Sequence, residues 1–100
     1  MTITKKVEGN TAVLSVEGWL DTQSSPELGK EMQDLSGIGE LILDFDKLEY
    51  ISSSGLREVV SAYKKMKSGN GTFSVIHVSS EVMDVFRMTG FDKKLDIRAK

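Results

Sequence analysis

The first seventeen positions contain two alternating runs. Ile3, Lys5 and Val7 interleave with Thr4 and Lys6, and Ala12, Leu14 and Val16 interleave with Val13, Ser15 and Glu17. Gly9-Asn10 lies between them, so the pattern predicts a β-hairpin. Gly18 to Pro26 then collects turn formers, and Pro26 stands at the first helical position behind a Ser cap. Leu28, Met32 and Leu35 make the apolar face of that helix, which Gly37 and Gly39 end. Leu41 to Leu43, followed by Phe45, has the near-continuous hydrophobicity of a central strand covered on both faces. Its separation from the hairpin lets it pair in parallel through a helical crossover. After a short loop, Ser52-Ser53-Ser54 precedes Leu56, Val59, Val60, Tyr63 and Met66. That is helical spacing with hydroxyls at the orphan N–H groups of the first turn. This helix should run to about Lys67, with Ser68 to Gly71 breaking it. Thr72 to Val78 reads as another strand, and Ser79 and Ser80 cap a short helix bearing Val82, Met83, Val85 and Phe86 that Gly90 ends. Leu95 and Ile97 add an edge strand. The expected fold is α/β: one domain over 1–100 in the order ββαβαβα(β), with a mixed sheet of four to five strands and packed helices.

Composition narrows the chemistry. One hundred residues support one core, and a formal charge of −2 lacks the basic footprint of a nucleic-acid binder. There is no cysteine and only one histidine, which leaves no thiolate nucleophile and no paired imidazoles for zinc. Met1 to Val7 is mostly polar and no apolar run approaches membrane-spanning length, so a soluble, cytoplasmic protein without membrane insertion is expected, with a monomer favoured. No cofactor or metal site is expected. Phosphate loops are not evident either: Gly37-x-Gly39 lacks a third glycine, and no G-x-x-x-x-G-K occurs.

Several residues invite a chemical role. Leu41-Ile42-Leu43-Asp44-Phe45-Asp46 resembles the opening Asp-x-Asp motif of haloacid-dehalogenase-type phosphatases, which hold Mg²⁺ on such acids. Lys47-Leu48 departs from that family's usual continuation, and no later strand ends in paired acids, so solvated carboxylates at a strand end are the simpler expectation. His77, expected to share a strand face with Phe73 and Val75, reads as a structural histidine. Met32, Met66, Met83 and Met88 read as core gap fillers, and Met83, Met88 and Phe91 as the alternative, an apolar contact surface. The lysines Lys64, Lys65 and Lys67 suit the negative end of a helix dipole. The triple serine stands out: one hydroxyl suffices to cap a helix, and three are offered where a central strand delivers its carboxyl end.

Asp44 to Arg57 resembles the signature of the STAS family, the anti-sigma factor antagonists and their relatives. Glu17-Gly18-Trp19-Leu20-Asp21 is similar to that family's early Gly-x-Leu-Asp turn, and Met88-Thr89-Gly90-Phe91-Asp92-Lys93 to its closing segment. The resemblance implies a non-enzymatic, bacterial binding module whose partner is an anti-sigma factor, often a serine protein kinase as well. Phosphorylation is then expected at Ser53, with Ser52 and Ser54 as alternatives; Ser52 stands where many phosphorylated members carry Asp. Asp21, Asp46, Ser52, Ser53, Ser54, Gly55 and Arg57 would form the partner-binding surface. Two other functions are carried forward: a constitutive STAS subunit of a lipid-transport or other signalling assembly, and a Mg-dependent phosphatase using Asp44 and Asp46.

Overall fold

A computed structural model describes all residues 1–100. Strands β1 (Thr2–Glu8) and β2 (Thr11–Leu20) form the antiparallel hairpin, with Glu8 opposite Thr11 and Gly9 at φ 59°. A left-handed first turn residue is what a two-residue II′ connection demands, and glycine supplies it without steric cost. Helix α1 (Ser25–Gln33) leads to β3 (Glu40–Asp44), then β4 (Leu48–Ile51), α2 (Ser53–Ser68), β5 (Thr72–Val78) and α3 (Ser80–Thr89). A single 3-10 turn (Phe91–Lys93) precedes β6 (Asp96–Ala99). The sheet order is β1-β2-β3-β5-β6, with only the hairpin antiparallel, while β4 joins the far end of β2.

The expected element order holds, with one addition. Strand β4 makes six strands where four or five were expected, and it occupies what the sequence presents as a loop. Its pattern is buried, exposed, exposed, buried, so no alternation announces it. It exists because β2 runs on to Leu20, beyond the predicted end, and offers a second edge there: Gly18 pairs with Leu48 and Leu20 with Ile51. Gly18, at φ 90°, marks the register shift at which β2 turns from β3 towards β4.

Inward-facing side chains of β2, β3 and β5 (Leu14, Leu43, Val75) meet stripes from all three helices (Leu28, Val59, Phe86) in one hydrophobic cluster. Val13, Ile42 and Ile76 stand on the opposite sheet face, outside that cluster. The central strand is therefore covered on one face only, and its continuous apolar run overstates its burial: β3 alternates between buried and half-buried positions. Met32, Met66 and Met83 are core residues as expected, but Met88 is 86% exposed. It follows Phe86 by two residues and so falls off the buried stripe of α3. Leu35 lies beyond the end of α1 yet still packs on the core.

His77 also departs from its expected place. Its φ is 57°, the register between β5 and β6 shifts there, and the buried position passes to Val78. The exposed imidazole instead meets Asp44, Nδ1 lying 2.9 Å from Oδ1. Phe45, immediately after β3, is fully buried and among the largest such side chains. Phe45→Ala should lower unfolding stability by about 3–5 kcal/mol, read as a shift in the urea midpoint at unchanged m-value.

Candidate functional site

Strand β4 delivers the chain to α2 through Ser52, and the three serines there have three different fates. Ser52 is the N-cap: its backbone is extended (φ −90°, ψ 173°) and its Oγ accepts from the Gly55 N–H at 3.1 Å. Its carbonyl takes the first helical bond from Leu56, and its own N–H donates to Leu20 O at 2.9 Å, tying the cap to the end of β2. Ser54 is partly buried, its Oγ 3.2 Å from Thr22 Oγ1 and accepting from Arg57 Nη2 at 3.4 Å. Ser53 is the first helical residue; it is exposed, and its hydroxyl makes no hydrogen bond within the chain. Helix geometry gives the backbone N–H groups of Ser53 and Ser54 no intrahelical carbonyl partner.

Gly55 sets how close this turn can come to the sheet. A Cβ there would lie 2.6 Å from Leu20 O and 2.8 Å from Leu20 Cγ. Backbone cannot yield as a flexible side-chain end does, so the missing methyl lets α2 seat directly on the ends of β2 and β4.

The loop between β2 and α1 lies against the same turn through Thr22. Asp21 organises it: one carboxylate oxygen accepts from the Ser24 N–H at 3.0 Å, the Ser24 hydroxyl at 3.0 Å and the Gln23 N–H at 3.1 Å. These bonds, the Ser24 N–H first and its hydroxyl next, hold the Asp21 carboxyl below its ordinary value of 3.8. Ser24 occupies the α1 cap position without capping, because its hydroxyl is turned back to Asp21 and to Trp19 O at 2.7 Å. Pro26 is accordingly the second helical residue rather than the first.

The structure thus brings Asp21, Ser52, Ser53, Ser54, Gly55 and Arg57 into one neighbourhood. Asp46 is not joined to it: its carboxylate lies 3.6 Å from Lys100 Nζ, and its carbonyl accepts from the same ammonium. Asp44 is engaged by His77 and by the Asp46 N–H at 3.0 Å. No three His, Cys, Asp or Glu side chains gather as metal ligands. No helix is long and apolar enough to cross a membrane.

Sequence reasoning missed an aromatic pair on the strands that lead into the site. Trp19 and Tyr50 are register partners on β2 and β4, with ring centroids 5.0 Å apart, and they remain 57% and 45% exposed. Each precedes a site residue by two positions, Asp21 and Ser52 respectively. The only local signal is Trp19 beside Leu20 in a run that otherwise reads as a turn. Exposed, pre-ordered aromatics of this kind are characteristic interface anchors.

A mixed sheet with helices on one face and a hydroxyl-bearing helix start at its surface defines a small α/β module. Residues 2–100 match the profile of the family described as STAS domain, and the chain belongs to that family. The anti-sigma-B factor antagonist of Bacillus subtilis is 27% identical over 96 residues, spanning 95% of this chain and 88% of that protein. The Thermotoga maritima protein TM1081 superposes with a TM-score of 0.90 at 21% identity, covering 98% of this chain and 86% of that one. SpoIIAA of Bacillus, solved in its phosphorylated form, gives a TM-score of 0.77 at 17% identity, covering 96% and 90%. At these identities the two solved structures speak for the fold.

Two outcomes follow from the site geometry. Gly55→Ala should destabilise the domain by about 1–3 kcal/mol, because the helix start must move off the sheet; thermal denaturation checks it. The folded carboxyl of Asp21 titrates below its unfolded value, so its stabilising effect is complete above about pH 4, the ordinary aspartate range, and fades as pH falls through the folded value. The stability difference between wild type and Asp21→Asn should therefore be flat near neutrality and shrink in acid, read by urea titrations across pH.

Proposed function

We propose that this protein is an anti-sigma factor antagonist that binds an anti-sigma factor with serine kinase activity through Ser52–Ser54 and the exposed side of α2. Phosphorylation of Ser53 releases the partner and so regulates sigma-factor-dependent transcription. The observation that carries the reading is the division of labour among the serines. Ser52 caps and Ser54 is bonded, whereas Ser53 is an exposed hydroxyl without a structural task. The name of the Bacillus subtilis relative supports the partner class.

A phosphate on Ser53 would bring about two negative charges to the positive end of α2, beside N–H groups without helical partners and one turn from Arg57. The fold tolerates such a charge. A docked partner does not. Displacing it by about a thousandfold takes roughly 4 kcal/mol. An exposed charge pair contributes under about 1 kcal/mol, whereas enclosing an uncompensated dianion at an interface costs several. Trp19 and Tyr50, an exposed pair at the ends of the strands that lead to Asp21 and Ser52, would add the apolar anchorage that makes the interface dry enough for that penalty to apply.

Incubation with the partner kinase and ATP should modify Ser53, and phosphopeptide mapping reads the site. Ser53→Asp should weaken the complex by at least about a hundredfold with an unchanged melting curve, while Ser53→Ala should bind and resist release. Binding by Ser53→Asp at wild-type affinity, or modification confined to other residues, counts against the mechanism.

A further inference from the structure

Along the side of α2 that continues from Arg57 runs a groove walled on its far side by the 3-10 turn and the chain entering β6. It comprises two adjoining cavities of about 470 and 540 Å³. Its floor is apolar: Val60 and Phe91 line both cavities, with Leu56 at one end and Leu95 at the other. Its rim is cationic. Arg57 and Lys64 stand along the first cavity, and Lys64, Lys67 and Lys94 around the second. None of these four side chains is in an ion pair with a carboxylate of the chain, although the chain as a whole is acidic.

The helix dipole does not explain this arrangement. It accounts for Lys64 and Lys67 near the carboxyl end of α2, but Lys94 belongs to another element, and Arg57 lies close to the amino end, where a cation is disfavoured. Lys65, the remaining lysine of that cluster, is used differently: its Nζ donates to Met32 O at 2.8 Å, on the α1 side of the helix. What the four rim cations share is the groove. From Leu56 to Lys67 the helix rises about 17 Å, the length of a three-turn helix laid alongside.

We infer that this groove docks an acidic amphipathic helix of a protein partner, apolar residues at i, i+4 and i+7 seated on Val60, Phe91 and Leu95, and carboxylates meeting Arg57, Lys64, Lys67 and Lys94. An apolar floor under unpaired cations matches one kind of ligand: a helix with a greasy stripe flanked by acids. A bare polyanion would leave the floor exposed to water, and a neutral apolar helix would leave the rim uncompensated. The inference stands whether or not Ser53 is a phosphorylation site.

A fluorescent, side-chain-stapled 12-residue peptide with leucines at that spacing and glutamates elsewhere is the probe, read by anisotropy against the intact protein. Saturable binding below about 100 μM is expected, together with amide shifts at Val60, Lys64, Phe91 and Leu95 in ¹⁵N-labelled protein. The exposed double variant Lys64→Glu/Lys94→Glu should bind at least about tenfold more weakly while keeping its melting temperature. Raising salt from about 50 to 300 mM should weaken wild-type binding several-fold. Ser53→Asp, which should lose the proposed anti-sigma factor complex, should still bind the peptide much as wild type does, which separates this outcome from the fate of the serine switch. Any of three results overturns the inference: no binding up to about 1 mM, equal binding of a scrambled peptide of the same composition, or displacement of the peptide by a single-stranded oligonucleotide that binds more tightly.

Discussion

The contact between Gly55 and the ends of β2 and β4 is the constraint on which the site depends. With only a hydrogen on its Cα, the first turn of α2 comes within van der Waals reach of Leu20 and Ile51. That approach sets the Ser52 cap against the sheet, where its N–H reaches the Leu20 carbonyl. Once Ser52 is so placed, the handedness of the helix fixes the next two residues: Ser54 turns towards Thr22 and Arg57, and Ser53 towards solvent. The exposure of a single hydroxyl is thus a consequence of backbone packing two residues away.

The same packing bears on the proposed phosphorylation of Ser53. The residues that seat α2, Leu56, Val59, Ala62 and Met66, are buried, whereas Ser53 is exposed. The N-terminal N–H groups and the dipole already favour an anion there. On the proposed reading a phosphate at Ser53 would therefore act on whatever docks there and leave the core alone. The groove beside Arg57 follows from the same geometry: the side of α2 turned neither to the sheet nor to α1 faces the 3-10 turn, and the two line an apolar floor with a cationic rim.

Two acids that the sequence singles out, one as a partner-binding residue and one as a phosphatase-like carboxylate, make local contacts in the fold. Asp21 gathers the donors of a tight turn, and Asp44 holds the bulged His77 and the turn after β3. In each case a carboxylate satisfies backbone or imidazole donors at the rim of the sheet, where the ladder ends and N–H groups would otherwise lack partners.

The amino-acid sequence alone determined the elements whose cause is local. Alternation around Gly9-Asn10 specified the hairpin, the stripe from Leu56 to Met66 specified α2, and hydroxyls and glycines marked its limits and those of α3; the signature from Asp44 to Arg57 carried the family. Tertiary structure decided what depends on residues far apart in the chain. Strand β4 is too short to announce itself and forms only because β2, some thirty residues earlier, offers an edge beyond Gly18. Met88 and His77 were misplaced because a one-residue bulge or a 200° step around a helix reverses the face on which a side chain lands. Which of three neighbouring serines caps, which is bonded and which is free, and that Trp19 meets Tyr50, are set by contacts across the fold, and periodicity along the chain carries no record of those distances.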